Sequence, residues 1–102
     1  MTHFPKQILD LPKYQGRFEA FKLAAQGCDV LFASYPAGSS IEAHTHDTDN
    51  VGMITQGELI LTMNGQTEHF IVGEWYHVPA GVEHAARFAE ETAEIEFWFV
   101  VG

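Results

Sequence analysis

The chain has 102 residues, of which 46% are hydrophobic and 19% charged, a composition that suits one folded domain with its own core and excludes a disordered chain. Its 14 acidic residues against 5 Lys and Arg give a net charge of −9, so the basic surface that nucleic acids and anionic membranes require is missing. Cys28 is the single cysteine, and no apolar stretch reaches the length of a signal peptide or a membrane span. We therefore expect one domain over residues 1–102, a cytoplasmic location, and neither nucleic acid nor membrane as a partner.

Residues 1–16 contain Pro5, Pro12 and Gly16 and predict an irregular N-terminal arm. Beyond the arm, short strand-like runs alternate with turn signals, and Asn64-Gly65 is the strongest hairpin signal among them. Residues 19–26 are the only run that could compete as a helix. The predicted strands cover 17–24, 28–35, 40–46, 51–56, 58–63, 66–72, 74–78 and 94–101. Strands of this number and length predict an all-β, antiparallel sandwich or barrel.

Two predicted strands are apolar on both faces, at residues 30–34 and 97–101. In a two-layer β protein such strands need a cover on their outer side, either a second subunit or the N-terminal arm. The acidic run at residues 90–94 is interpreted as a solvated turn.

Six histidines are present, and His44 and His46 are separated by one residue. On a strand of period two, both rings project from the same face and could converge on one metal ion. A third ligand must come from elsewhere, and His84 follows a tight turn at residues 79–83 that could fold it back. Glu42 shares the predicted strand face, so it could orient a ligand ring or act as a base, or form a salt bridge at the rim. His77 could line the cavity as an acid–base group or lie on the outer face of the sheet.

Two spaced strings carry these histidines. The first runs Gly38, five residues, His44, one, His46, three, Asn50, six, Gly57, and the second runs Gly73, five residues, Pro79, one, Gly81, two, His84. Their spacing resembles the two motifs of the cupin superfamily, over residues 38–88. The resemblance implies a jelly-roll barrel (a double-stranded β-helix) with a metal at one mouth, and often a homodimer. It assigns the ligands to His44, His46, position 50 and His84.

The chain departs from the family pattern at two positions. Position 50 is Asn where the family has Glu, and the position of the Asn in the second motif is Phe88. An amide oxygen is a weaker ligand than a carboxylate, so Asn50 could ligate weakly or hold a metal-bound water. A second alternative is that Asp47 or Asp49 replaces the missing Glu as a ligand. Asp49 is next to position 50, so on an extended strand its side chain faces the other way. The third alternative is that the site holds no metal.

Three imidazoles without a thiolate suit a divalent transition metal such as Fe, Mn, Ni, Zn or Cu. The set resembles the three-histidine centres of cupin dioxygenases, which implies a small-molecule enzyme with dioxygenase or isomerase-like chemistry. The alternative is a cupin module that binds a small ligand without catalysis.

Overall fold

A computed structural model describes residues 4–101, and over that range the protein has one short helix and nine β-strands. Residues 1–3 of the predicted arm, with His3, and the last residue lie outside the described range. The elements are α1 (Lys6–Leu9), β1 (Glu19–Ala25), β2 (Cys28–Tyr35), β3 (Ser40–His44), β4 (Thr48–Gln56), β5 (Glu58–Met63), β6 (Gln66–Ile71), β7 (Trp75–Val78), β8 (His84–Arg87) and β9 (Thr92–Val100). The all-β class is confirmed.

The strands form two antiparallel sheets. One has the order β1-β2-β9-β4-β7 and the other the order β3-β8-β5-β6, and the crossovers between them produce the predicted jelly roll. The core lies between the sheets, where alternate residues of each strand point inward. Leu31 and Ala33 on β2 pack there with Ile54 on β4 and Leu59 and Leu61 on β5.

Most predicted strands are confirmed to within a few residues. The competing helix at residues 19–26 was the wrong alternative, because those residues form β1 paired along its length with β2. Strand β8 was not predicted, since its four residues, HAAR, are too short to show an alternating pattern. The predicted third strand ends earlier, at His44, and β4 begins earlier, at Thr48.

The Asn64-Gly65 turn joins β5 and β6 as the sequence predicts. Both residues have positive φ, 55° and 74°, which is the backbone of a type I′ hairpin turn.

A β-bulge in β3 changes which of its residues face the barrel. Ile41 is opposite Ala86 and His44 is opposite His84, so three steps along β3 match two steps along β8. The extra residue breaks the period of two between Ile41 and His44. Ile41 and His44 consequently line the same cavity, and Glu42 is exposed.

The N-terminal arm lies against the larger sheet and contains the helix α1, which the irregular-arm prediction did not include. The ring of Phe4 packs edge-on against Phe32 at 5.7 Å, and Lys13 forms an isolated bridge with Phe21. Tyr14 stacks on Phe18 at 4.8 Å. In the described range no helix is long and apolar enough to cross a membrane.

Gly57 provides a test of this fold. It connects β4 to β5 with φ of 75°, and a Cβ there would collide with the Glu91 carbonyl oxygen and with Thr92 Oγ1. Gly65 has nearly the same φ, 74°, with open space around it. We expect Gly65→Ala to cost about 1–2 kcal/mol of stability through backbone strain alone, and Gly57→Ala about 1–3 kcal/mol more through the collision.

Urea denaturation of both variants measures the difference. Equal losses of stability would show that the Gly57 turn does not pack against residues 91–92 as described.

Candidate metal centre

Three histidines meet at one end of the barrel. His44 ends β3 directly opposite His84, which begins β8, so the pairing of these two strands brings the rings together. His46 lies two residues beyond β3, and its carbonyl oxygen accepts a 2.8 Å hydrogen bond from the backbone N–H of Gly81. The turn of the second motif therefore fixes the backbone of His46 in the first motif.

The three rings offer ligand atoms close enough for one ion. One nitrogen from each of His44, His46 and His84 lies within 4.8 Å of the other two, and the Nε2 atoms of His44 and His46 are 3.0 Å apart. Nitrogens bound to a tetrahedral metal at about 2.0–2.1 Å are separated by about 3.3 Å. The His44–His46 pair is near this separation, and the His84 ligand atom lies within 4.8 Å of both; among residues 4–101 no carboxylate or thiol joins this group.

Backbone carbonyl groups orient two of the rings. The Nδ1–H of His44 donates to the carbonyl oxygen of Glu42 at 2.7 Å, and the Nδ1–H of His84 donates to that of Val82 at 2.9 Å. Each bond places the proton on Nδ1 and leaves the lone pair on Nε2, as a ligand histidine requires. In His44 this lone pair accepts a 3.0 Å hydrogen bond from the Nε2–H of His46, a contact that a bound metal would replace.

The surroundings favour the neutral form of two imidazoles, His46 and His84. Burial lowers the pKa of His46 to about 4, with the neighbouring rings of His44 and His84 adding to the effect. Burial also lowers the pKa of His84. At neutral pH these two rings therefore offer lone pairs without first losing a proton to solvent, which favours metal binding.

Asn50 lies beside the histidines, but its amide oxygen is already engaged. It is 5% exposed and lines the cavity, and its Oδ1 accepts a 2.6 Å hydrogen bond from the hydroxyl of Thr48. Asp49 points to the outer face, where its carboxylate accepts a 2.9 Å hydrogen bond from His77 Nε2–H. Asp47 is exposed in the β3–β4 connection. Asn50 is thus the one of these three side chains that faces the cavity.

Neither of the two candidate acid–base residues lies in the cavity. The bulge turns the Glu42 side chain outward, and only its backbone carbonyl contributes, through the bond to His44. His77 alternates with the buried Tyr76 and Val78 on β7, so its ring faces outward. The outer-face alternative for His77 is the one that the structure favours.

The sequence interpretation missed two cavity residues, Glu94 and Glu96. The structure buries both side chains between the sheets, at 2% and 5% exposure, so a solvated turn is wrong for Glu94. They alternate with Ile95 and Phe97 on β9, and this alternation could have shown that both glutamates share a face. The cavity is open at one end, and its space together with the solvent at the mouth is about 560 Å³. Six aromatic side chains line it: Tyr14, Phe18, Tyr35, Tyr76, Phe88 and Trp98.

Comparison with known proteins identifies one family. A family model described as "Cupin domain" matches residues 31–101. The HTH-type transcriptional regulator PuuR of Escherichia coli is 32% identical over 57 residues, which are 55% of this chain and only 31% of the regulator.

Solved structures show the same fold at low identity. An RmlC-like cupin from Shewanella frigidimarina has a TM-score of 0.80 at 18% identity, covering 97% of this chain and 89% of that one. KdgF from Halomonas sp. has a TM-score of 0.75 at 15% identity, covering 91% and 90%. A cupin superfamily protein from Desulfitobacterium hafniense has a TM-score of 0.76 at 19% identity, covering 86% and 82%.

The lowered pKa of His46 predicts how the metal-free protein titrates. We expect the His46 ring to stay neutral on acidification until about pH 4, against an unperturbed value of 6.5. The unfolded chain binds this proton first, so His46 makes folding less favourable as pH falls from 6.5 towards 4. Long-range ¹H–¹⁵N correlation spectra of the imidazoles measure the midpoint. A His46 midpoint at or above 6.5 would contradict the buried, neutral ring.

Proposed function

Because the chain belongs to the cupin family, we propose that it binds a divalent transition metal through His44, His46 and His84 and acts on a small molecule in the adjoining cavity. The observation that carries the proposal is the convergence of the three rings, two of them with Nδ1 held by a backbone carbonyl. Fe, Mn, Ni, Zn and Cu all suit such ligands.

The charge of the ligand set supports a catalytic role. Three neutral imidazoles do not offset the double charge of the ion, and no carboxylate replaces the family's Glu at position 50. A metal held in this way supplies Lewis acidity, or dioxygen activation if it is redox-active, at coordination positions left for the ligand. We propose dioxygenase or isomerase-like chemistry for this reason.

The surrounding side chains prepare the site. The Trp98 ring packs against His46 with centroids 4.7 Å apart, which limits the freedom of the one ligand ring that no backbone carbonyl anchors. Asn50 is paired with Trp98 across β4 and β9, so its amide lies at the level of the histidines. The aromatic side chains make the cavity wall beside the histidines largely apolar.

A binding module without catalysis is the second candidate function. The similarity to a transcriptional regulator favours it, since the matched part is a minority of that protein and could be its ligand-sensing part. A small-metabolite screen monitored by NMR separates the two functions. An enzyme converts its ligand in the metal-loaded state, whereas a sensor leaves the ligand unchanged.

Measurement of the metal content tests the proposed centre. We expect purified protein to hold about one transition metal per chain, and His84→Ala to lose it because two ligands remain. His69→Ala is the matched control, because His69 is exposed on β6, where its Nδ1–H donates to Glu58 at 2.7 Å. Metal-free wild-type protein that also fails to take up added metal would overturn the proposal, as would equal metal content in the two variants.

We also propose a cytoplasmic location, which cell fractionation would test.

We further propose that the protein is a homodimer. The outer face of the larger sheet carries apolar side chains, including Trp75 at 56% and Phe99 at 42% exposure, and the Trp75 and Phe97 rings are 6.1 Å apart. In the part of the arm that the structure describes, the Phe4 ring covers this face near Phe32. A second copy would bury the remainder about a twofold axis.

Light scattering after size-exclusion chromatography tests the dimer. We expect a mass of about twice 11.4 kDa for the wild type and the monomer mass for Trp75→Glu, because a charge in an apolar interface is not compensated. Gln66→Glu on the exposed strand β6 is the control and should leave the dimer intact. A monomeric wild type would contradict the proposal.

A further inference from the structure

The segment between the arm helix and β1 forms part of the cavity wall. The rings of Tyr14 and Phe18 stack with centroids 4.8 Å apart, and the Tyr14 ring packs edge-on against Trp98 at 5.7 Å. Phe18 also contacts the ring of Tyr35, with centroids 5.3 Å apart. These contacts hold the segment against the barrel, and Tyr14, Arg17 and Phe18 all line the cavity.

Gly16 allows the segment to take this path. The Tyr14 ring lies where a Cβ at position 16 would stand, so any side chain there would displace the ring. The backbone N–H of Tyr14 donates a 2.9 Å hydrogen bond to the carbonyl oxygen of Ala20 in β1. The two ends of the segment are thereby tied together, and Arg17 between them is placed in the cavity wall.

Arg17 is a cation without an acidic partner on the protein. The chain has 5 Lys and Arg against 14 acidic residues, and in the part of the chain that the structure describes Arg17 is the basic residue that lines the cavity. Lys6 and Lys22 each pair with an aspartate, whereas over residues 4–101 no carboxylate lies within ion-pair distance of Arg17. A guanidinium group has five N–H donors and binds carboxylates in a bidentate geometry. These donors are therefore open to a molecule in the cavity.

The charge of Arg17 acts at the histidine end of the cavity. Beyond the effects of burial and of the His44 and His84 rings, Arg17 lowers the pKa of His46. Asp47 acts in the opposite sense and by less, and its side chain does not line the cavity. Because Arg17 and His46 line the same cavity, one small molecule can contact both the guanidinium group and the proposed metal.

The two buried glutamates lie deeper in the barrel than this end of the cavity. Glu96 pairs with Gly52 one row beyond the Asn50–Trp98 pair at the histidine level, and rows on one face are about 7 Å apart along a strand. Burial raises the pKa of both carboxyl groups, although hydrogen bonds and the charge of His44 oppose this at Glu96. Both the distance and the burial reduce the repulsion that an anion at the histidine end would meet.

We propose that Arg17 binds a carboxylate group of the ligand, so that the molecule held in this cavity is a small organic acid. The carboxylate accepts charge-assisted hydrogen bonds from the guanidinium group, and the apolar part of the acid packs against the rings of Phe18 and Trp98. A metal at the three histidines, whose charge no carboxylate ligand offsets, favours the same charge on the ligand. The inference deepens the proposed function, because it rests on the same cavity being the ligand site.

Titration with matched small probes tests the charge of the ligand. Pentanoate, pentanamide and butylammonium are similar in size and differ in charge. At about pH 8 a guanidinium group is charged and an imidazole is ordinarily neutral, so the titration reads the charge of Arg17. The indole N–H of Trp98 reports binding in ¹H–¹⁵N spectra, and that of Trp75 on the outer face is the internal control. We expect pentanoate to shift Trp98 saturably and to bind about tenfold more tightly than pentanamide, as a charge-assisted bond predicts, and butylammonium not to bind.

Two variants locate the anion site. Arg17→Gln removes the charge and should lose the preference for pentanoate over pentanamide. Lys13→Gln removes a charge from the same arm, at a side chain that does not line the cavity, and should keep the preference. Both side chains are exposed, so both variants should fold. Equal affinity for the two probes in the wild type would overturn the proposal, as would an Arg17→Gln protein that keeps the preference or a Lys13→Gln protein that loses it.

The titration uses protein dialysed against a chelator, so that an ion at the histidines does not contribute to the affinity. The metal content and metal uptake of the same preparation test the proposed function separately. A wild type that never takes up metal would contradict the metal centre and leave the preference for pentanoate as the test of Arg17. A wild type that holds metal yet binds both probes equally would contradict the anion site alone.

Discussion

The short pairing between β3 and β8 is the constraint on which the rest of the site depends. It places His44 opposite His84, and the bulge before His44 directs that ring inward together with Ile41. Two carbonyl groups, each two residues before its histidine in the chain, then set the tautomers of His44 and His84. The Gly81 N–H donates a hydrogen bond to the carbonyl oxygen of His46 and so positions the backbone of this third histidine. The positions of the His44 and His84 rings therefore come from main-chain hydrogen bonds, which are independent of whatever the cavity binds, whereas the His46 ring packs against Trp98.

Polar groups are arranged in two levels within the barrel. At the mouth, the three imidazoles form the proposed metal site, and among residues 4–101 no carboxylate stands with them. Deeper inside, Glu94 and Glu96 are buried carboxyl groups that hydrogen bonds from Tyr76, Tyr35 and Trp98 hold in place. The two levels are linked by Trp98, which packs on His46 and donates to Glu96.

The sequence was sufficient for the features that local chemistry dictates. Asn64-Gly65 predicted its hairpin because the turn needs positive φ at both positions, and the spaced motifs predicted which three histidines converge. It was insufficient where a strand departs from regular geometry. Glu42 was placed on the histidine face because a bulge cannot be read from a strict period of two. Glu94 was interpreted as solvated because it is charged, although its alternation with Ile95 and Phe97 indicated a shared inward face. The hydroxyl group of Tyr76 that makes its burial tolerable comes from a distant strand, which the local sequence does not show.

Anomalous scattering from crystals grown with one equivalent of zinc tests the central claim most directly. The account predicts one anomalous peak per chain, about 2.0–2.1 Å from a ring nitrogen of each of His44, His46 and His84. It also predicts that the Nδ1–H bonds of His44 and His84 to the backbone carbonyl groups are retained. A map with no anomalous peak between the three rings, in which the Nε2 atoms of His44 and His46 keep their 3.0 Å hydrogen bond, would contradict it.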